Sequence, residues 1–172
     1  PGVWVGSLID IFCEKGYWII LTDDAELTMY DAYDCSNGYN LHVGANLISF
    51  PSSGSAHISD ALPDDMESSI SGIITEGRAT INLSSGNWIG SLQQFQGGKG
   101  YWFISENDND ISLSYDLSTL SRTNIAYKEE KLDGYEYVQS TKQGFYFVES
   151  VEGISEGDYI LAYNGDNLIG SR

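Results

Sequence analysis

The chain has 172 residues, of which 41% are hydrophobic and 13% aromatic. That is enough apolar material for one ordinary core or two small ones, and too much for a wholly disordered chain. Its 25 acidic and 8 basic side chains give a formal charge of -17, a field that repels phosphate backbones and anionic membrane surfaces and argues against nucleic acid as a partner. No apolar run approaches the roughly 18 residues of a membrane-spanning helix, so the sequence reads as soluble, without membrane insertion. Three prolines, 19 glycines and abundant Ser, Thr, Tyr and Ile favour strands joined by tight turns. The expected class is all-β, built of sandwich-like modules with one short helix.

In chain order, the first feature is half of an internal repeat. Trp4-Val5-Gly6-Ser7-Leu8 and Lys15-Gly16-Tyr17-Trp18-Ile19-Ile20 return as Trp88-Ile89-Gly90-Ser91-Leu92 and Lys99-Gly100-Tyr101-Trp102-Phe103-Ile104, at a constant offset of 84 residues. Period-two alternation predicts a β-hairpin in each copy, with arms at 16–22 and 26–30 in the first and at 100–105 and 111–115 in the second. The connecting tips are acidic, around Asp23 and Asp24 in one copy and Asn107, Asp108, Asn109 and Asp110 in the other. Cys13 and Cys35 are the only cysteines. A bridge between them closes a loop of about 23 residues and stabilises by roughly 3 kcal/mol; the alternative is two unpaired thiols in a β core. An acidic, Tyr- and Ser-rich, lysine-poor composition favours the bridge and an extracellular setting.

Between the copies, residues 41–50 read as a strand ending at Pro51, and the Ser/Gly cluster 52–55 as a loop. Ser59 is placed to cap a turn or two of helix that tolerates Pro63 only in its first turn. Residues 70–75 and 79–83 read as strands. In the last third, 135–141 and 145–151 alternate as strands, and 159–163 joins 168–170 through Asn164-Gly165-Asp166-Asn167, a strong hairpin signal. The predicted organisation is thus the second half of a module at 1–37, a complete module at 38–118, a polar linker at 119–131 and a C-terminal β segment at 132–172.

A half module leaves Tyr17, Trp18 and Ile20 without their usual partners, and repeat units do not bury their apolar faces alone. Three completions are open: further residues of a longer chain, the C-terminal β segment, or a neighbouring subunit joined by strand addition. A head-to-tail contact of the last kind, if it does not close a ring, makes a filament.

The strings Gly44-Ala45-Asn46-Leu47-Ile48-Ser49-Phe50-Pro51, Gly72-Ile73-Ile74-Thr75-Glu76-Gly77, Trp88-Ile89-Gly90-Ser91-Leu92 and Gly98-Lys99-Gly100-Tyr101-Trp102 resemble a repeated β module. Such modules occur in very large secreted or surface proteins of aquatic bacteria, often in chains with a type IX secretion sorting domain. Tyr137-Val138-Gln139-Ser140-Thr141 and the Gly157-Asp158 to Gly170 stretch resemble the β segment that follows it there. The resemblance implies an extracellular, multimodular, non-enzymatic protein and carries no activity to any residue. Cys13 departs from its glycine-rich loop, which the second copy keeps as Gly97-Gly98, in keeping with a disulfide particular to this chain.

Catalytic groupings do not emerge. His42 and His57 lie in separate segments outside any hydrolase motif, and consecutive carboxylates such as Asp64-Asp65 arise by chance at this acidic composition. Calcium is the better chemical expectation, because Asn107, Asp108 and Asp110, and Asp23 and Asp24, gather oxygen ligands of the type a hard cation takes; turn formation explains the same residues. Glycan stacking on the Trp and Tyr residues is the other, with Tyr30, Tyr33 and Tyr39 as candidate surface platforms, although aromatics recurring in both copies read first as core. The role that follows is a structural subunit of an extracellular fibre or cell-surface assembly, self-associating head to tail. One docking face is the N-terminal hairpin at 3–30 and the other the open strands at 159–170. A glycan- or surface-binding module of a large adhesin is the alternative.

Overall fold

The computed structural model describes residues 6–26, 38–84, 86–121, 132–137, 144–148, 150–155 and 157–171. Contacts divide the chain into two units, Pro1–Ile125 and Ala126–Arg172. Among the described residues of the first unit the chain runs β1 (Tyr39–Leu41), β2 (Gly44–Ser49), β3 (Ser55–His57), α1 (Ile58–Ala61), α2 (Asp64–Glu67), β4 (Ile70–Thr75), β5 (Arg78–Asn82), β6 (Trp88–Gly90), β7 (Gln94–Gln96), β8 (Gly100–Ser105) and β9 (Ile111–Leu113). Five of these form an antiparallel sheet in the order β2-β8-β4-β5-β6, while β1 pairs with β9 and β3 with β7. The regular structure among the described residues is therefore mostly β, with two single-turn helices.

The central strand β8 shows why. Its Tyr101, Phe103 and Ser105 are buried and alternate with half-exposed Trp102 and Ile104, the pattern of a strand with one face on a core. β2 pairs with it from Gly44↔Ser105 to Ser49↔Gly100, and β4 lies on its other edge, interrupted by a register shift between Ile70 and Gly72. The two-residue turn Glu76-Gly77 joins β4 to β5 through the pair Thr75↔Arg78, with Gly77 at φ +67°, a conformation that suits glycine. At the far edge β5 and β6 approach closely. A side-chain carbon on Gly90 would lie 2.2 Å from the Ala79 carbonyl oxygen.

The buried residues of this sheet meet those of β1, β3, α1, β7 and β9 in one apolar cluster. Phe95 of β7 is its hub, stacked on Phe50 (5.5 Å between centroids) and Phe103 (5.7 Å) and edge-on to Tyr101 (5.0 Å) and Tyr115 (5.3 Å). Such ring pairs add stabilisation beyond the area they bury.

Several expectations from sequence are corrected. The predicted 100–105/111–115 hairpin does not form, because β8 and β9 pair with other strands. The five-residue tip lets the chain leave the sheet, and Leu113 is buried opposite Tyr39 on β1 instead. The stretch 41–50 is broken at His42-Val43, where the Asn46 side chain accepts from the His42 N–H (2.9 Å) and donates to the His42 carbonyl (2.8 Å). Such side-chain bonds compete with ladder formation. The helix is split by Pro63, which sits at the N-cap position of α2, and α1 follows His57 without a side-chain cap from Ser59. Among the described residues of the first copy of the repeat, Lys15 forms a bridge to Ile48 and residues 16–26 are not strands; 27–30 lie outside the described residues.

In the second unit the described residues form one antiparallel hairpin, β10 (Leu161–Asn164) and β11 (Asn167–Ser171), with an irregularity between Ala162 and Tyr163. The predicted hairpin is present, but its turn is Gly165-Asp166, with Asn164 and Asn167 paired as strand ends rather than in the loop and Gly165 at φ +60°. Within 135–141 and 145–151, the described residues are not strands; the others lie outside the described residues.

Candidate functional site

Two segments of related sequence differ most in what covers them. Residues 14–16 run antiparallel along the outer edge of β2: the Gly16 N–H donates to the Leu47 carbonyl (3.1 Å) and the Ser49 N–H to the Glu14 carbonyl (3.3 Å). The Ser49 hydroxyl also donates to the Cys13 carbonyl. Gly16 is required there, since a side-chain carbon would lie 2.7 Å from Leu47. Beyond Gly16 the chain leaves the edge.

Local geometry is nonetheless shared between the copies. The Phe12 N–H donates to the Tyr17 hydroxyl at 2.7 Å, and 84 residues later the Gln96 N–H donates to the Tyr101 hydroxyl at 2.7 Å. Gly6 and Gly90 have φ of +155° and +152°. The surroundings of these matched positions are opposite. Leu92, Phe95 and Phe103 are 0% exposed, whereas their counterparts Leu8, Ile11 and Ile19 are 67%, 69% and 58% exposed. A side-chain carbon on Gly90 would collide with β5, but on Gly6 it would meet nothing within 4 Å. Scattered exposed apolar residues are ordinary, whereas a contiguous group of them marks an interaction surface or an aggregation-prone one.

The second exposed apolar group lies in the C-terminal unit. Tyr159, Ile160, Tyr163 and Ile169, on or beside the β10–β11 hairpin, are all exposed. A two-stranded hairpin is marginal by itself in water. Its second strand also carries a sequence signal: Asn167-Leu168-Ile169-Gly170-Ser171 matches Asn87-Trp88-Ile89-Gly90-Ser91, and so β6, at four of five positions.

The remaining candidates are dispersed. Asp23 and Asp24 are exposed, as are Asp108 and Asp110, and Asn107 is half-buried. Among the described residues no group of three or more His, Cys, Asp or Glu side chains is placed to hold a metal ion. Cys13 is disulfide-bonded; Cys35 lies outside the described residues, as do Tyr30 and Tyr33. Tyr39 is no surface platform, being 3% exposed and packed edge-on to Tyr115 at 5.4 Å.

His42 bonds through Nδ1 to the Val43 carbonyl at 2.7 Å, and Nε2 of His57 lies 3.3 Å from Nε2 of Gln94. A cavity of about 140 Å³ between α1 and β6 is lined by His57, Ser59, Asn87, Trp88 and Gln93 among others. Ligand sites run to roughly 300–1,000 Å³, so this one is small. Its tryptophan is fixed from behind, the indole Nε1 donating to Oε1 of buried Glu67 at 2.8 Å. Among the described residues no helix is long and apolar enough to cross a membrane. No family model, curated protein or solved structure matches the chain.

Proposed function

We propose that this protein is a structural subunit of an extracellular fibre or cell-surface assembly, in which neighbouring chains complete each other's β-structure. Residues 6–21 are then the uncovered half of a two-layer, sandwich-like module that repeats at about 84 residues, and they form one docking face. The open strands of the C-terminal hairpin form the other.

One observation carries the reading: Leu8, Ile11 and Ile19 are exposed where Leu92, Phe95 and Phe103 are wholly buried. Burying three such side chains stabilises by roughly 1.5–3 kcal/mol each, enough to drive association between chains. The disulfide at Cys13 supports an oxidising, extracellular setting, as does the resemblance to secreted repeat modules. A charge of -17 opposes association at low salt and is screened within about 8 Å at physiological ionic strength.

Negative-stain electron microscopy of the full chain at micromolar concentration and physiological salt tests the reading. Unbranched fibres are expected; a field of isolated single-chain particles overturns it.

A further inference from the structure

We infer that the cleft between α1 and β6 binds one neutral pyranose ring, as a free sugar or as a residue of a glycan. The cleft lies within the first unit of a single chain, so this goes beyond the assembly reading and does not depend on it. Its floor is apolar, formed by buried Ile58 and Leu92. Its rim is polar: His57, Ser59, Asn87 and Gln93 line the opening and are all exposed. Trp88 supplies the one aromatic side chain. The two sides are tied together, since the Ile58 N–H donates to the Gln93 carbonyl at 3.1 Å, and a cleft held by the fold in advance loses little freedom when a ligand arrives.

The tryptophan is set for this role. Its indole N–H donates to Oε1 of Glu67 at 2.8 Å, and Glu67 is itself buried. Gly86 lets the chain cross that carboxylate: at φ +81°, a side-chain carbon there would lie 2.9 Å from Oε2. An N–H donated to a carboxylate polarises the indole and enriches its ring in electrons. The electron-rich face is what the C–H groups of a pyranose meet. The rim keeps capacity for hydroxyls. Asn87 uses its main chain in the local turn, donating to Ser84 at 2.7 Å and accepting from Leu83 at 3.1 Å, and none of these bonds takes up its side-chain amide. Gln93 donates through Nε2 to the Gly90 carbonyl at 2.6 Å and keeps Oε1 as an acceptor. The Ser59 hydroxyl lies 3.5 Å from Oδ1 of Asp60, too far to be held by it. Among the described residues no carboxylate, lysine or arginine lines the cleft, so a charged ligand finds no counter-ion, and a chain of charge -17 repels anions. A volume of about 140 Å³ is too small to enclose a ligand of ordinary size. What fits is one ring with hydroxyls at its edge and C–H groups on its face.

Saturation-transfer difference NMR on the full chain tests the site, with the methyl glycosides of glucose, galactose, mannose and N-acetylglucosamine, and short homopolymers of each, as probes. Saturation of the ring C–H protons of at least one probe is expected. Asn87→Ala and Ser59→Ala, both at exposed positions, keep the wild-type thermal midpoint and each weaken that binding about 2–10-fold, the loss of one hydrogen bond. Trp88→Ala abolishes it; should that variant fail to fold, the two exposed variants decide. Tighter binding of a homopolymer than of its single ring identifies a glycan as the source of the ring, and equal binding identifies a free sugar. No saturation of any probe, or saturation undiminished in both Asn87→Ala and Ser59→Ala, overturns the inference and leaves the assembly reading untouched.

Discussion

The matched leucines of the two repeat copies give a quantitative test. Leu92 lies in the apolar cluster with no exposed surface, and Leu8, its counterpart 84 residues earlier, is 67% exposed. Leu92→Ala removes three buried carbon atoms and leaves a cavity beside a ring-packed core, a change that costs about 2–5 kcal/mol. Leu8→Ala removes atoms already in contact with water and costs within about 0.5 kcal/mol. For a unit of this size each kcal/mol moves the thermal midpoint by roughly 2–8 °C, so Leu92→Ala should melt on the order of 10 °C or more below wild type and Leu8→Ala close to it. Far-ultraviolet circular dichroism during heating, on chains diluted until monomeric, measures both. At assembling concentrations the order changes in one respect: Leu8→Ala should then raise the concentration needed for assembly. Equal midpoint losses for the two variants in dilute solution would refute the reasoning, because they would mean that Leu8 is already covered within a single chain.

Further outcomes follow from the core and its edge. Burial raises the phenols of Tyr39 and Tyr115 above the usual 10.0 and pushes Tyr101 up to about 12. Unfolded tyrosines lose protons from about pH 10, so stability from this source is intact below pH 10 and falls as pH rises from 10 through 12. Tyr101 alone accounts for about 3 kcal/mol of that loss. Tyrosinate absorbance read beside circular dichroism should show late-ionising tyrosines released together with unfolding, and ionisation of all 12 tyrosines near pH 10 in a folded chain would contradict it. Glu67→Ala should cost about 1–3 kcal/mol in urea unfolding, because the Trp88 indole N–H loses its acceptor, while Glu67→Gln keeps an acceptor oxygen and costs less. A chelator should leave both the thermal midpoint and the fibres unchanged, since strand pairing needs no cation; loss of fibres would assign the acidic tips at Asp23, Asp24, Asp108 and Asp110 a calcium role.

Strand identity was legible where alternation was strong and uninterrupted. β8 and β4 occupy the residues their period-two pattern predicted, and β5 begins one residue earlier because the Glu76-Gly77 turn needs two residues, not three. Partner choice was not legible. The 111–113 strand alternates equally well against β8 or β1, and only the burial of Leu41 and Leu113 in a shared cluster decides between them. The break at His42-Val43 depends on an Asn46 side chain whose three bonds, to His42 and Gly44, are local, so an Asn four residues after His42 was a usable signal. The docking surface was half legible. Repetition of Trp-x-Gly-Ser-Leu and Lys-Gly-Tyr-Trp identified equivalent positions, but equal sequence implied equal burial, and exposure is a property of neighbours that the sequence around Leu8 and Ile19 does not contain. The likeness of Asn167–Ser171 to the other copies is masked in the sequence because Leu168 replaces the tryptophan that marks them.

In the proposed assembly, the exposed residues Trp18, Ile19, Ile20 and Leu21 become part of a paired strand. Amide hydrogen exchange, followed by mass spectrometry on peptides covering Trp18, Ile19, Ile20 and Leu21, measures this directly, because an amide in a ladder exchanges only when the ladder opens. Fast exchange is expected in dilute monomers and strong protection in fibres, with β8 protected in both. Fibres in which those four amides exchange as fast as in the monomer would contradict it.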